Sequence, residues 1–144
     1  MTPEQLAVAD TNEAFYRAIS QRDLPAIAEL WFPAEWAECT HPGAMAVRGW
    51  DAIYDSWQKI FEFQPLGVAI STSEVRVRLI GDVAWVSCLE RVAMTDADQI
   101  HTTLSHATNL YVRHDGRWRM VGHHASPVPF VPPQASASGS SLVN

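Results

Sequence analysis

The sequence predicts an α+β domain: a cone-shaped, curved antiparallel sheet covered by about three N-terminal helices. Three observations predict it. Apolar residues recur at helical spacing in three segments within residues 2–62. A period of two takes over from about Leu66. Turn-forming pairs, Gly81-Asp82 and Asp115-Gly116, then separate the strand-like runs.

The first helix starts at Thr2-Pro3-Glu4-Gln5. Thr2 is the cap, Gln5 completes a capping box, and Pro3 stands where its missing N–H is harmless. It runs to about Ser20, with Leu6, Phe15 and Ile19 in its apolar stripe. Asp23 caps a short second helix carrying Leu24, Ile27, Leu30 and Trp31, which Pro33 stops. Residues 33–48 are irregular, punctuated by Pro33, Pro42 and Gly43, with part of the stretch in a short strand. Residues 50–62 form the third helix on the stripe Ile53, Tyr54, Trp57, Ile60 and Phe61.

Alternation is clearest in residues 74–79, where Glu74, Arg76 and Arg78 oppose Val75, Val77 and Leu79. Val83–Val92 is the second strand, Thr95–Gln99 a longer loop, and Thr103–Arg113 the third strand. His114-Asp115-Gly116 makes a tight turn, with Gly116 able to take positive φ. Arg117–His124 is the fourth strand of an antiparallel meander. Residues 1–130 make one domain. Residues 131–144 make a tail, small and polar from Ala135 on apart from Leu142 and Val143, with little to bury and expected to be mobile.

Composition bounds the function. The 144 residues are 47% apolar and include six tryptophans, ample for a core. A formal charge of -6 argues against nonspecific nucleic-acid binding. Cys39 and Cys88 do not make a disulfide framework. With no long apolar run and no leader pattern, a cytoplasmic location without membrane contact is expected by default. No glycine-rich phosphate loop, nucleophile elbow, paired CxxC or calcium loop appears, and no cofactor is expected.

Both faces of the sheet carry apolar residues. In strand two Val83, Trp85, Ser87, Leu89 and Arg91 alternate with Ala84, Val86, Cys88, Glu90 and Val92. Helices on one side and a second subunit on the other satisfy both faces, so a homodimer is expected.

Adjacent strand residues point opposite ways, so His123 and His124 divide between the faces unless a bulge intervenes. With Trp118 and Met120 turned to the core, His124 is the inward one. It is a candidate proton-transfer residue or a hydrogen-bonded core histidine. His41, in the loop Cys39-Thr40-His41-Pro42-Gly43, is either a second pocket residue or simply exposed. Asn109 shares a face with Ala107 and Tyr111 and is a candidate to orient a small apolar ligand. Trp36, Tyr54, Trp57 and Trp118 line the pocket or fill it as core. His41, His106 and His124, with Glu38 and Glu90 as extra donors, lack the close spacing of a metal site, so none is expected.

Three segments, AFYRAISQRDLPAIAELW, RGWDAIYDSWQKIF and GDVAWVSC…ATNLYVRHDGRWRMVGHHASP, resemble the nuclear transport factor two-like superfamily, and more closely its SnoaL-like branch. The resemblance covers residues 5–128. It implies a cone-like α+β barrel, often a homodimer, with a pocket between sheet and helices. Its members include ketosteroid isomerases, polyketide cyclases, scytalone dehydratases and epoxide hydrolases, alongside protein-binding members. It places His124 at a histidine position common near the end of the last long strand, and Trp118 at a core tryptophan position. No carboxylate here is matched to the acidic base that cyclases and steroid isomerases use. The function expected is a small-molecule pocket protein, an isomerase, cyclase, dehydratase or hydrolase working by histidine acid–base chemistry; the alternative is a noncatalytic ligand-binding or dimeric interaction domain.

Overall fold

The computed structural model describes residues 1–64 and 67–129, so the expectation about a mobile tail lies outside the described residues. Helix α1 is Pro3–Ser20, α2 Leu24–Leu30 and α3 Trp50–Phe63. The strands are β1 Glu38–Thr40, β2 Val47–Arg48, β3 Val68–Ile80, β4 Val83–Asp96, β5 Gln99–His114 and β6 Arg117–Pro127.

The helix starts follow their local chemistry. Thr2 Oγ1 accepts from the Gln5 N–H at 3.1 Å, and Gln5 Oε1 accepts from the Thr2 N–H at 2.9 Å. Asp23 accepts from the Ala26 N–H at 3.1 Å and opens α2. The buried stripe of α1 is Val8, Asn12, Phe15, Tyr16 and Ile19. Leu6, expected in that stripe, is exposed because the helix turns a different arc toward the sheet. Asn12, a polar residue, occupies the arc instead.

The irregular stretch holds two short strands, β1 and β2. The long loop expected at residues 95–99 is instead a tight turn between two long strands, β4 and β5. Asp115 and Gly116 both have positive φ, +52° and +74°, in the β5–β6 hairpin turn. The sheet order is β2-β1-β6-β5-β4-β3. Neighbours are antiparallel except β1 and β6, which run parallel. The sheet is curved and does not close.

Two irregularities interrupt its register. In β3 the pairing shifts between Ser73 and Arg76, where Glu74 takes a positive φ of +54°. In β6 Tyr111 pairs with Met120 while Leu110 pairs with Gly122, which leaves Val121 as an extra residue. Such bulges bend a strand and re-aim the side chains beyond them.

The concave face packs on the helices. Phe15, Ile27, Trp31, Ile53, Tyr111 and Met120 are among its fully buried side chains. Among the described residues no helix is long and apolar enough to cross a membrane.

Candidate functional site

The extra residue at Val121 decides which histidine enters the core. Trp118 and Met120 face inward, as expected. Beyond the bulge the alternation restarts one residue out of phase, so His123 and Ala125 are buried while His124 is exposed. The expectation that His124 faces the helices is corrected here: it assumed a regular strand. Gly122, an isolated glycine within a strand pattern, is the sequence signal that marks such a break.

His123 joins a buried polar network built from three elements. Strand β5 supplies Asn109 and Tyr111, β4 supplies Glu90, and α1 supplies Asn12 and Tyr16. Asn109 Nδ2 donates to Asn12 Oδ1 at 2.9 Å and to the Tyr16 hydroxyl at 3.0 Å. Tyr111 donates to Asn12 Oδ1 at 2.7 Å. Tyr16 donates to Glu90 Oε2 at 2.7 Å. Asn109 Oδ1 lies 2.6 Å from His123 Nδ1. Both Asn109 amide hydrogens are spent on Asn12 and Tyr16, so its oxygen is an acceptor and His123 Nδ1 must carry the hydrogen. The lone pair of the neutral imidazole is then on Nε2, which faces Glu90 Oε2 at 3.9 Å.

Burial sets the charges. It raises the Glu90 carboxyl above its ordinary range, and the Tyr16 hydrogen bond only partly opposes this. Burial, with His41 and His124 nearby, pushes His123 down to about 3. Burial, then the neighbouring Glu90, raises the Tyr16 hydroxyl. Burial disfavours charge on both groups, and with His123 lowered to about 3 its imidazole is neutral, so the 3.9 Å contact is not an ion pair.

His41 stands beside this network on the loop after β1. Its ring centre is 6.5 Å from that of His123 and 4.7 Å from that of Trp57, edge-on at 85°. Ser56 Oγ donates to the Ile53 carbonyl at 2.7 Å and lies 3.0 Å from His41 Nε2. With the one serine proton on Ile53, Nε2 donates and Nδ1 holds the lone pair. Burial pushes His41 down to about 4.

Of the residues expected in the pocket, Asn109, Trp57 and His41 are brought together around His123. Tyr54 is half-buried and packs edge-on against Trp50 at 5.7 Å. Trp118 is buried near the start of α1, where its indole donates to Glu4 at 3.2 Å. Trp36 is 63% exposed and so is not part of an inner wall. It lies with His124 in a groove of about 310 Å³ on the outer face, lined also by Glu38, Thr40, Thr108 and Leu110. A second groove, of about 370 Å³, runs between α1 and β3 and has Tyr16, Arg17, Ile70 and Thr72 in its walls. Tyr16 here, and His123 at the outer groove, are thereby the network members that border open grooves.

Glu90, Tyr16, Asn12, Tyr111 and His123 were not among the expected site residues. Glu90 was legible by its phase, since it alternates with Ala84, Val86 and Cys88 toward the core. Among the described residues no three His, Cys, Asp or Glu side chains are grouped to hold a metal ion.

This architecture is shared with known proteins. The family described as the SnoaL-like domain matches residues 8–130. The chain belongs to that family. The SnoaL-like domain is also 30% identical over 120 residues to the F-box protein SKIP8 of Arabidopsis thaliana, covering 83% of this chain and 49% of that protein. The chain therefore spans about half the length of the curated relative it matches. A candidate dehydratase of the NTF2-like family from Streptomyces avermitilis superposes with a TM-score of 0.79 at 28% identity, over 87% of this chain and 96% of that one. A candidate calcium/calmodulin-dependent protein kinase type II association domain from Thiobacillus denitrificans gives 0.71 at 27% identity, over 88% and 95%.

Proposed function

We propose that this SnoaL-like domain is a proton-transfer enzyme for a small apolar carbonyl compound. The observation that carries the reading is the buried network that fixes the His123 tautomer and leaves Nε2 as a lone-pair acceptor beside the Glu90 carboxyl. Buried ionisable groups lower stability, and they concentrate where chemistry needs them. In this reading His123 Nε2 takes a proton from the carbon next to the carbonyl. The C–H bonding pair moves into the new C=C bond, and the carbonyl oxygen gains the negative charge. Returning the proton to another carbon gives an isomer; expelling a β-hydroxyl as water gives a dehydration. His123 Nε2 itself returns the proton in the isomerisation; in the dehydration Glu90, held by Tyr16, protonates the leaving hydroxyl and regains a proton from His123 Nε2. His124 has no role in it. The similarity to a candidate dehydratase supports this class of chemistry.

The test is deuterium uptake by a panel of cyclic ketones and β-hydroxy ketones in D₂O, read by mass spectrometry. Wild-type protein is expected to exchange at least one of them, and His123→Gln to slow that exchange about a hundredfold or more. No exchange above the protein-free rate across the panel overturns the reading.

A second reading concerns self-association. The outer face carries a contiguous apolar stripe: Val83 and Trp85 on β4 lie opposite Val112 and Leu110 on β5, and Leu110 lies opposite Gly122 on β6. Val83, Trp85 and Leu110 are each about two-fifths exposed. A second copy of the chain is the occupant proposed for it, and the likeness to an association domain supports this. Light scattering at micromolar concentration should give twice the 16.0 kDa chain mass. A monomeric mass overturns it.

A further inference from the structure

Three buried polar atoms find no hydrogen-bond partner among the described residues: Trp31 Nε1, Trp57 Nε1 and Arg119 Nε. Two of them belong to one structural contact. Arg119 donates through Nη2 to the Trp31 carbonyl at 2.7 Å, which ties β6 to the end of α2. Trp57 is different. It sits mid-helix on α3, in the stripe Ile53, Trp57, Phe61, where leucine or phenylalanine would supply the same packing without a stranded donor.

Its surroundings are the site already described. The indole ring is 4.7 Å from His41, 6.2 Å from His123, and 5.7 Å from both Phe15 and Phe61, centre to centre. This aromatic shell holds one indole N–H without an acceptor. Its neighbour His123 presents a lone pair on Nε2, whose approach to Glu90, at 3.9 Å, is beyond hydrogen-bond range. The two are complementary: one offers a hydrogen, the other accepts one.

We infer that Trp57 is the specificity-determining donor of this site. Its indole N–H binds an acceptor oxygen of the ligand, so the domain takes compact apolar compounds bearing a carbonyl oxygen and discriminates against the matching hydrocarbons. This rests on the proton-transfer reading for the location of the site, but not for whether a reaction follows. A donor held in a water-poor aromatic shell is worth more to an oxygen that gains charge than the same donor in water. Rejection of the hydrocarbon follows because filling the site with it leaves the N–H still unpaired.

The experiment uses cyclohexanone and methylcyclohexane as probes of similar size. The Trp57 indole ¹⁵N–¹H cross-peak is assigned by its loss in Trp57→Phe. Cyclohexanone is expected to shift that peak saturably, and methylcyclohexane is not. Trp57→Phe should weaken cyclohexanone binding about tenfold and leave methylcyclohexane unchanged. Should that variant fail to fold, 3-benzothienylalanine at position 57 removes the N–H in an isosteric ring and should give the same split. An unmoved peak up to the solubility of the ketone, or equal loss for both probes, overturns the inference. Ketone binding that is Trp57-dependent but shows no deuterium exchange upholds the inference while refuting the enzymatic reading.

Discussion

The inner and outer faces of this sheet are made from the same strands, and each presents a histidine from one dipeptide. On the inner face His123 is buried, its tautomer fixed by Asn109 and its ring packed edge-on against Phe15 at 5.0 Å. On the outer face His124 is exposed in a groove beside Trp36 and Glu38. One residue apart in sequence, the two live in different dielectric environments. Burial drives His123 toward its neutral form, whereas His124 is exposed at the surface. Chemical identity is the same; position on the pleat is what differs.

The largest way to break this contrast is to insert an alanine between Gly122 and His123. The added residue takes the inward place, so His123 and Ala125 turn outward and His124 inward. The loss should reach about 4 kcal/mol or more, because a network is emptied and a wrong histidine buried. Urea unfolding measures it, and a loss below about 1 kcal/mol would show that the strand absorbs the added residue without changing faces.

Asn109→Ala is the next strongest. It strips partners from Asn12, Tyr16 and His123 together. We expect a loss of about 2–4 kcal/mol, with each orphaned buried group adding to it. Asn109→Ala combined with His123→Ala in a double-mutant cycle should be clearly non-additive.

The pH dependence separates the faces more gently. His123 falls from 6.5 to about 3 on folding, so its contribution is complete above pH 6.5 and is lost as pH drops from there toward 3. His41, lowered to about 4, adds loss of the same sign. Glu90 runs the other way: its folded pKa is raised above 4.5, so stability is full below that value and declines as pH climbs through the raised one. Each group contributes a slope of at most about 1.4 kcal/mol per pH unit. His123→Gln should flatten the rise between about pH 3 and 6.5, and Glu90→Gln the decline above pH 4.5. Unchanged curves would mean that these groups titrate alike folded and unfolded.

The smallest effects belong to the outer face. His124→Ala should alter folding free energy by no more than about 0.5 kcal/mol, as exposed positions do. Trp85→Glu likewise leaves the chain folded but is expected to halve the mass seen by light scattering. A His124→Ala variant as unstable as Asn109→Ala would erase the distinction between the faces.

Much of the fold was legible because it is encoded locally. Thr2 and Asp23 cap the helices expected of them, and the Asp115-Gly116 turn forms where its φ preferences allow. Strand alternation put Asn109 on one face with Ala107 and Tyr111, all three now buried. The site was only half legible. Asn109, Trp57 and His41 surround His123, but Tyr16 and Asn12 stand on α1 nearly a hundred residues from Asn109 and Tyr111, and only the packed helix brings them there.

Periodicity, caps and turns, all present in the chain itself, therefore determined the elements, their order and the class of fold. They also determined that one histidine of the pair would be inward. Which one it would be belonged to the tertiary structure. A strand counts its faces by twos, and an extra residue with no strong chemical mark reverses the count beyond it. Whether that bulge forms is decided by what β5, β1 and the helices can pack against β6. Burial then gives His123 its neutral state, and Asn109 gives it its tautomer.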